Sequence, residues 1–179
     1  LNFQNKNTTY GKIGLAYEIN DDLNASVEAR KSVNSYEFNN RTAFGGLNQV
    51  GYNESESLES TDELFGILNF QKQLNEDFDI SASAGFELAT YGRKSITGGS
   101  VGGLTTTNFY SLNTSVDRPS LSSAVSKSQR QSTFAKASVG YKGILYLDGS
   151  ARFDWSSTAD PEANRVETYG GSLSFIFSK

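Results

Sequence analysis

The chain has 179 residues, with 16 Lys and Arg against 20 Asp and Glu for a net charge of −4, and it contains no Cys, His or Met. Without Cys there is no disulfide framework and no thiolate nucleophile; without His the commonest general base and zinc ligand are missing; and without a Lys/Arg cluster nothing can follow a phosphate backbone, so nucleic acid is excluded as a partner. No apolar run approaches the ~18 residues of a transmembrane helix, but a transmembrane strand needs only about 9–11 residues, half of them polar, and stays open.

In chain order, the first segments repeat with a period of two, the signature of half-buried strands. "YGKIGLAYEI" sets Ile13, Leu15, Tyr17 and Ile19 against Tyr10, Lys12, Gly14, Ala16 and Glu18, and "LNASVEARKSV" sets Leu23, Ala25, Val27 and Ala29 against Asn24, Ser26, Glu28 and Arg30. Between them, Asn20-Asp21-Asp22 supplies the residue types of a tight hairpin turn. "ELFGILNFQKQL" is less regular: Leu64, Leu68, Phe70 and Leu74 keep the period, while Phe65 and Ile67 fall on the face of Asn69 and Gln71. After a second tight turn at Asn75-Glu76-Asp77, "FDISASAGFELAT" alternates Phe78, Ile80, Ala82, Ala84, Phe86 and Leu88 with Asp79, Ser81, Ser83, Gly85 and Glu87.

"TFAKASVGYK" continues the pattern, and Lys142-Gly143 turns the chain into "ILYLDGSARFDW". There Leu145, Leu147, Gly149, Ala151, Phe153 and Trp155 face one way and Tyr146, Asp148, Ser150, Arg152 and Asp154 the other; "GSLSFIF" closes the set of seven strands. The other connections, 34–62, 92–131 and 156–168, are polar and read as long loops. Short turns at one end and long loops at the other are the pattern of an outer-membrane barrel. Small residues dominate the polar faces and few large apolar side chains could build a second hidden layer about 10 Å thick. Tyr17, Tyr141, Phe153 and Trp155 lie near strand ends, where an interfacial aromatic belt sits. The expected fold is therefore all-β, an antiparallel transmembrane β-barrel segment of about seven strands spanning 1–179, its apolar face toward outer-membrane lipid. Single-chain bacterial barrels have even strand numbers and lipid tolerates no open edge, so a larger closed wall is expected. The chain begins with Leu and shows no secretory leader, as a processed or internal piece does. A small outer-membrane structural or adhesion barrel completed by an eighth strand, and a soluble β-sandwich binding module, are the alternatives.

At "YLDGSARFDWSSTADP", followed by "YGGSLSFIFSK", the sequence resembles the SusC/RagA family of TonB-dependent outer-membrane transporters of Bacteroidetes. Arg152, Asp154, Ser156 and Ser157 match an Arg-x-Asp-x-Ser-Ser type motif at a strand end, and Ser172, Ser174 and Phe175 match the Ser-x-Ser-Phe strand that follows. The likeness is moderately specific over about 130–179; earlier hairpins agree in style. It implies a barrel of about 22 strands closed by an internal plug, energised import of glycans or peptides across the bacterial outer membrane, a SusD-like surface lipoprotein as partner, and no enzymatic activity. Nothing in the chain matches a plug domain or a TonB box, so the contact with TonB is expected in regions outside it.

Candidate substrate-binding residues follow from the wet face and the loops. Asp148, Arg152 and Asp154 share one face of one strand, with residues two apart separated by about 6.6–7 Å, so Arg152 can pair with Asp154. A lumen ladder contacting substrate and a structural ion-pair network both account for them, the latter more simply; a glycosidase-like acid is disfavoured because Arg152 keeps its neighbours ionised. Exposed aromatics need packing or a ligand. Tyr36, Phe38, Phe44 and Tyr52 in the first loop, Phe109 and Tyr110 in the second and Tyr169 after the third could stack on sugars or pack on other loops and a partner lipoprotein. "TGGSVGG", Thr97 to Gly103, lacks the Lys-Ser/Thr of a phosphate loop and reads as a flexible loop segment. Asp154, Asp160 and Glu162 have oxygens enough for a loose Ca²⁺ site but not the spacing, and a solvated loop is the simpler reading; no cofactor or metal is expected.

Overall fold

The computed structural model describes residues 2–160 and 162–177. Seven antiparallel strands form a single sheet in sequence order: β1 (Asn2–Asn20), β2 (Leu23–Thr42), β3 (Gly51–Gln73), β4 (Phe78–Leu104), β5 (Ser115–Tyr141), β6 (Leu145–Ser156) and β7 (Arg165–Phe175). One short 3₁₀ turn, Leu112–Thr114, precedes β5. The tight turns are where Asn, Asp and Gly place them. Asn20 Oδ1 accepts from the Asp22 amide at 3.0 Å, and Asn75 Oδ1 accepts from the amides of Asp77 and Phe78, both at 2.9 Å. Lys142 and Gly143 both take positive φ, 55° and 61°, as a two-residue turn matched to strand twist requires.

Two of the three expected long loops are mostly strand. Within 34–62, β2 runs on to Thr42 and β3 starts at Gly51; within 92–131, β4 continues to Leu104 and β5 begins at Ser115. The connections are 43–50, 105–114 and 157–164. Ser, Thr and Asn occupy both faces of these extensions, so no apolar stripe betrays the two-residue period, yet the backbone ladder forms regardless of side-chain polarity. "TGGSVGG" likewise lies in β4 rather than in a flexible loop. A Cβ at Gly98 would meet the Leu112 side chain, and one at Gly99 would meet those of Asn53 and Ser120.

The strands divide into two compact units. The first comprises Leu1–Tyr10, Ser32–Thr61 and Tyr91–Lys127, polar on both faces. Its anchor is Tyr52, 7% exposed, whose hydroxyl lies 2.8 Å from Asn39 Oδ1 and 3.0 Å from Glu54 Oε2. Burial, reinforced by the Glu54 carboxylate, pushes the Tyr52 phenol up, so it remains a donor.

The second unit comprises Gly11–Lys31, Asp62–Thr90 and Ser128–Lys179, and its two faces differ sharply. Cross-strand partners share a face. Val139, Leu147 and Leu173 stand in one row, Ala137, Gly149 and Gly171 in the next, then Ala135, Ala151 and Tyr169; the opposite face carries Ser138, Asp148 and Ser172, then Lys136, Ser150 and Gly170. Nothing covers the apolar face: Leu15 is 74% and Leu147 59% exposed, and across the described residues only Tyr52, Ala89 and Leu104 are buried apolar residues. All seven strands lie in one sheet, and among the described residues no second layer packs on it as in a β-sandwich.

Glycine permits close ring packing on both faces. The Phe86 ring occupies the space a Cβ would take at Gly66, and the Phe134 ring that at Gly85. The second contact explains the irregularity in β3: Phe65 faces the polar side because it stacks on Phe134, ring centroids 5.9 Å apart.

Candidate functional site

On the polar face of the second unit, β4, β5 and β6 each contribute to one charged cluster. Arg152 and Asp154, two apart on β6, point the same way because side chains alternate along a strand. Arg152 Nε lies 2.9 Å from Asp154 Oδ2 and its Nη2 lies 2.9 Å from Oδ1, a two-pronged grip that fixes the guanidinium plane. The register sets Ser132 opposite Asp154 and Phe134 opposite Arg152. Ser132, 1% exposed, donates its hydroxyl to Asp154 Oδ1 at 2.5 Å and accepts from Arg152 Nη2 at 3.0 Å. Glu87 on β4 completes the cluster, taking Arg130 Nη2 at 2.6 Å on one oxygen and Arg152 Nη2 at 3.5 Å on the other.

Two cations and two carboxylates thus form a chain in which each charge faces an opposite one. Such an arrangement braces three strands and offers guanidinium edges to a polar solute. Sequence reading finds Arg152 and Asp154 but not Glu87, Arg130 or Ser132. Glu87 lies on an expected polar face, but Arg130 falls in what reads as the long loop 92–131 and Ser132 just before the strand that opens at Thr133, and only the strand register shows that the three converge.

Asp148 is not part of the cluster. Its partners are the hydroxyls of Ser138, opposite it on β5, and of Ser172, which donates at 2.9 Å. The aromatic candidates separate as well. Tyr36 lies in β2, with Lys6 Nζ 5.2 Å from its ring centroid. Tyr110, in the 105–114 connection, carries the Arg41 guanidinium 5.5 Å from its ring, while Phe109 is 57% exposed. Tyr169 is not in a loop: it lies in β7 opposite Ala151, on the apolar face, in an edge-to-face contact with Phe153 at 5.9 Å. The loose Ca²⁺ arrangement does not form. Asp154 is engaged by Arg152, Asp160 Oδ1 accepts from the Glu162 amide at 3.0 Å, and no metal-holding group of carboxylates occurs among the described residues.

No protein-family model matches the chain, and no curated protein matches it. Solved structures do. The RagAB peptide transporter superposes with a TM-score of 0.77 at 15% identity, covering 96% of this chain and 20% of that one. The RagAB peptide importer in its closed-closed and open-open states gives TM-scores of 0.73 and 0.72 with the same identity and coverage. The chain therefore spans about a fifth of the length of the proteins it matches. At this identity the likeness is one of fold, and the fold is a β-barrel segment of the kind found in the RagAB peptide transporter.

Proposed function

We propose that the chain is part of the barrel wall of a TonB-dependent, SusC-like transporter of the bacterial outer membrane, importing peptides or oligosaccharides in company with a SusD-like surface lipoprotein. The observation that carries this is the uncovered apolar face of the second unit. From Leu145 to Trp155 that face extends about 33 Å at ~3.3 Å per residue. Tilted by about 40°, it covers about 25 Å, the height of the apolar band of an outer-membrane barrel. Aromatics gather at both ends: Phe78 and Tyr141, 4.8 Å apart, near the tight turns, and Phe153, Trp155 and Tyr169 at the other. Level with Trp155 and Phe153 on the same face stand Arg165 and Glu167, which pair with each other, and Lys31 pairs with Asp62 at 2.7 Å. Girdles of this kind sit at the two membrane interfaces.

The charged cluster then lies on the lumen face as a brace. The open edges of β1 and β7 expose backbone groups that lipid cannot satisfy, and a wall in lipid sets further strands beside each. The RagAB structures are of a peptide transporter, which favours peptides over oligosaccharides. Uptake of labelled tetrapeptides and of labelled oligosaccharides by cells that carry the whole protein and an intact TonB system, set against cells lacking the protein, tests the proposal. Saturable entry of one class supports it; absence of entry for both overturns it.

A further inference from the structure

The polar face holds a second feature, below the charged cluster and distinct from it: a groove of about 420 Å3 crossing β4, β5, β6 and β7. Its floor is made of small side chains, among them Ser83, Ser138, Ser150 and Ser172, with Lys136 and Asp148 as its charged members. The register pairs Lys136 with Ser150 and Ser138 with Asp148, so Lys136 and Asp148 are diagonal neighbours, Cα atoms about 7–8 Å apart. In the cluster above, each charge has an opposite partner within ion-pair distance. Among the described residues, neither Lys136 nor Asp148 forms an ion pair, and Asp148 is held instead by the Ser138 and Ser172 hydroxyls.

We propose that this groove is a transit subsite for a zwitterionic peptide, Lys136 taking its carboxylate and Asp148 its ammonium. The inference rests on the transporter reading above and narrows its substrate class. An ammonium and a carboxylate held apart over a floor of hydroxyls complement a ligand that carries the opposite charges on a backbone rich in N–H and C=O groups. A neutral oligosaccharide makes no use of a charge pair and seeks aromatic faces, and no aromatic ring lines the groove. The small floor residues supply depth; a longer side chain at Ser150 or Ser172 fills the space a peptide needs.

The test is binding of tetra-alanine in four forms, free, N-acetylated, C-amidated and blocked at both ends, to the whole protein purified in detergent. Blocking either end is expected to weaken binding about threefold to fivefold, the worth of a solvent-exposed ion pair. In Lys136→Gln the penalty for the C-terminal amide disappears and that for the N-acetyl group persists; in Asp148→Asn the reverse holds. Equal affinity for all four forms, or penalties untouched by either substitution, overturns the subsite even where cellular uptake is intact. A drop in melting temperature in both variants with unchanged end-group preference also overturns it, showing that protein rather than solute fills the groove. Loss of uptake with the preference pattern present fails the transport proposal alone.

Discussion

Strands β1 to β5 contribute to both units while β6 and β7 belong to the second alone, and the two units hide different things. In the second, one face is apolar and one polar, so each residue's side of the sheet is decided by its chemistry. In the first, Ser, Thr, Asn and Glu stand on both faces, and only single contacts such as Tyr52 with Asn39 and Glu54, or Leu112 over Gly98, fix particular places. A β-ladder does not need amphipathicity; an interface with an apolar medium does. On the proposed function, the segregated faces of the second unit are those of a wall that meets lipid.

That contrast breaks most readily by charge. Ala137→Arg on the apolar face of the second unit is expected to cost about 2–4 kcal/mol of stability in bilayers, whereas Ser123→Arg, at an exposed position of the first unit, changes it by no more than about 0.5 kcal/mol. Urea titration of the whole protein refolded in vesicles reads both; equal costs would erase the distinction between the units.

Glycine substitutions sharpen it within the second unit. Gly85→Ala drives a methyl into the Phe134 ring and the Gly66 carbonyl, for an expected loss of about 1–3 kcal/mol. Gly149→Ala meets open space on the apolar face and is expected to be neutral or to stabilise by up to about 1 kcal/mol, through a less disordered unfolded chain. The same titration checks both, and a Gly85→Ala protein as stable as the parent contradicts the ring packing described here.

Deleting the hydroxyl of Ser132 is expected to cost about 1 kcal/mol, as it leaves Asp154 and Arg152 each one partner short. A double-mutant cycle of Glu87→Gln with Arg152→Gln should give coupling of at most about 1 kcal/mol, because both side chains retain solvent contact.

A comparable effect is expected in the first unit. Tyr52→Phe loses a hydrogen bond worth about 1 kcal/mol. The raised Tyr52 pKa makes this contribution fully present below the ordinary tyrosine value of about 10 and lost as pH climbs through the folded value. Phenolate absorbance of the parent minus that of Tyr52→Phe should therefore titrate late; a difference curve centred at or below the ordinary value contradicts a buried, hydrogen-bonded Tyr52.

The same contrast explains what could be read in advance. The seven strands of the second unit, their faces and their three tight turns were legible because an apolar side chain every second residue leaves a record, and because Asn, Asp and Gly mark turns for a physical reason. The extensions of β2 to β5 were not, since polar alternation looks like a loop. Tyr169 was misplaced for a related reason. Its sequence neighbours Thr168 and Gly170 are small or polar, and only the pairing with Ala151 puts it beside Phe153 on the apolar face. The Arg152–Asp154 pair was visible because it is local in sequence, while Glu87 and Ser132 reach it only through the register.

The central claim, that the apolar face meets lipid and the polar face water, is open to direct measurement with single spin labels, since no Cys within these 179 residues competes for them. Labels placed one at a time from Leu145 to Trp155 in the vesicle-embedded whole protein, and relaxed by oxygen or by a water-soluble nickel complex, report each position's surroundings. Labels at Leu147, Gly149, Ala151 and Phe153 are predicted to favour oxygen, those at Asp148, Ser150 and Arg152 to be the less oxygen-accessible set, and the two accessibilities to alternate with a period of two. Uniform nickel access along β6, or an alternation of opposite phase, would contradict the account.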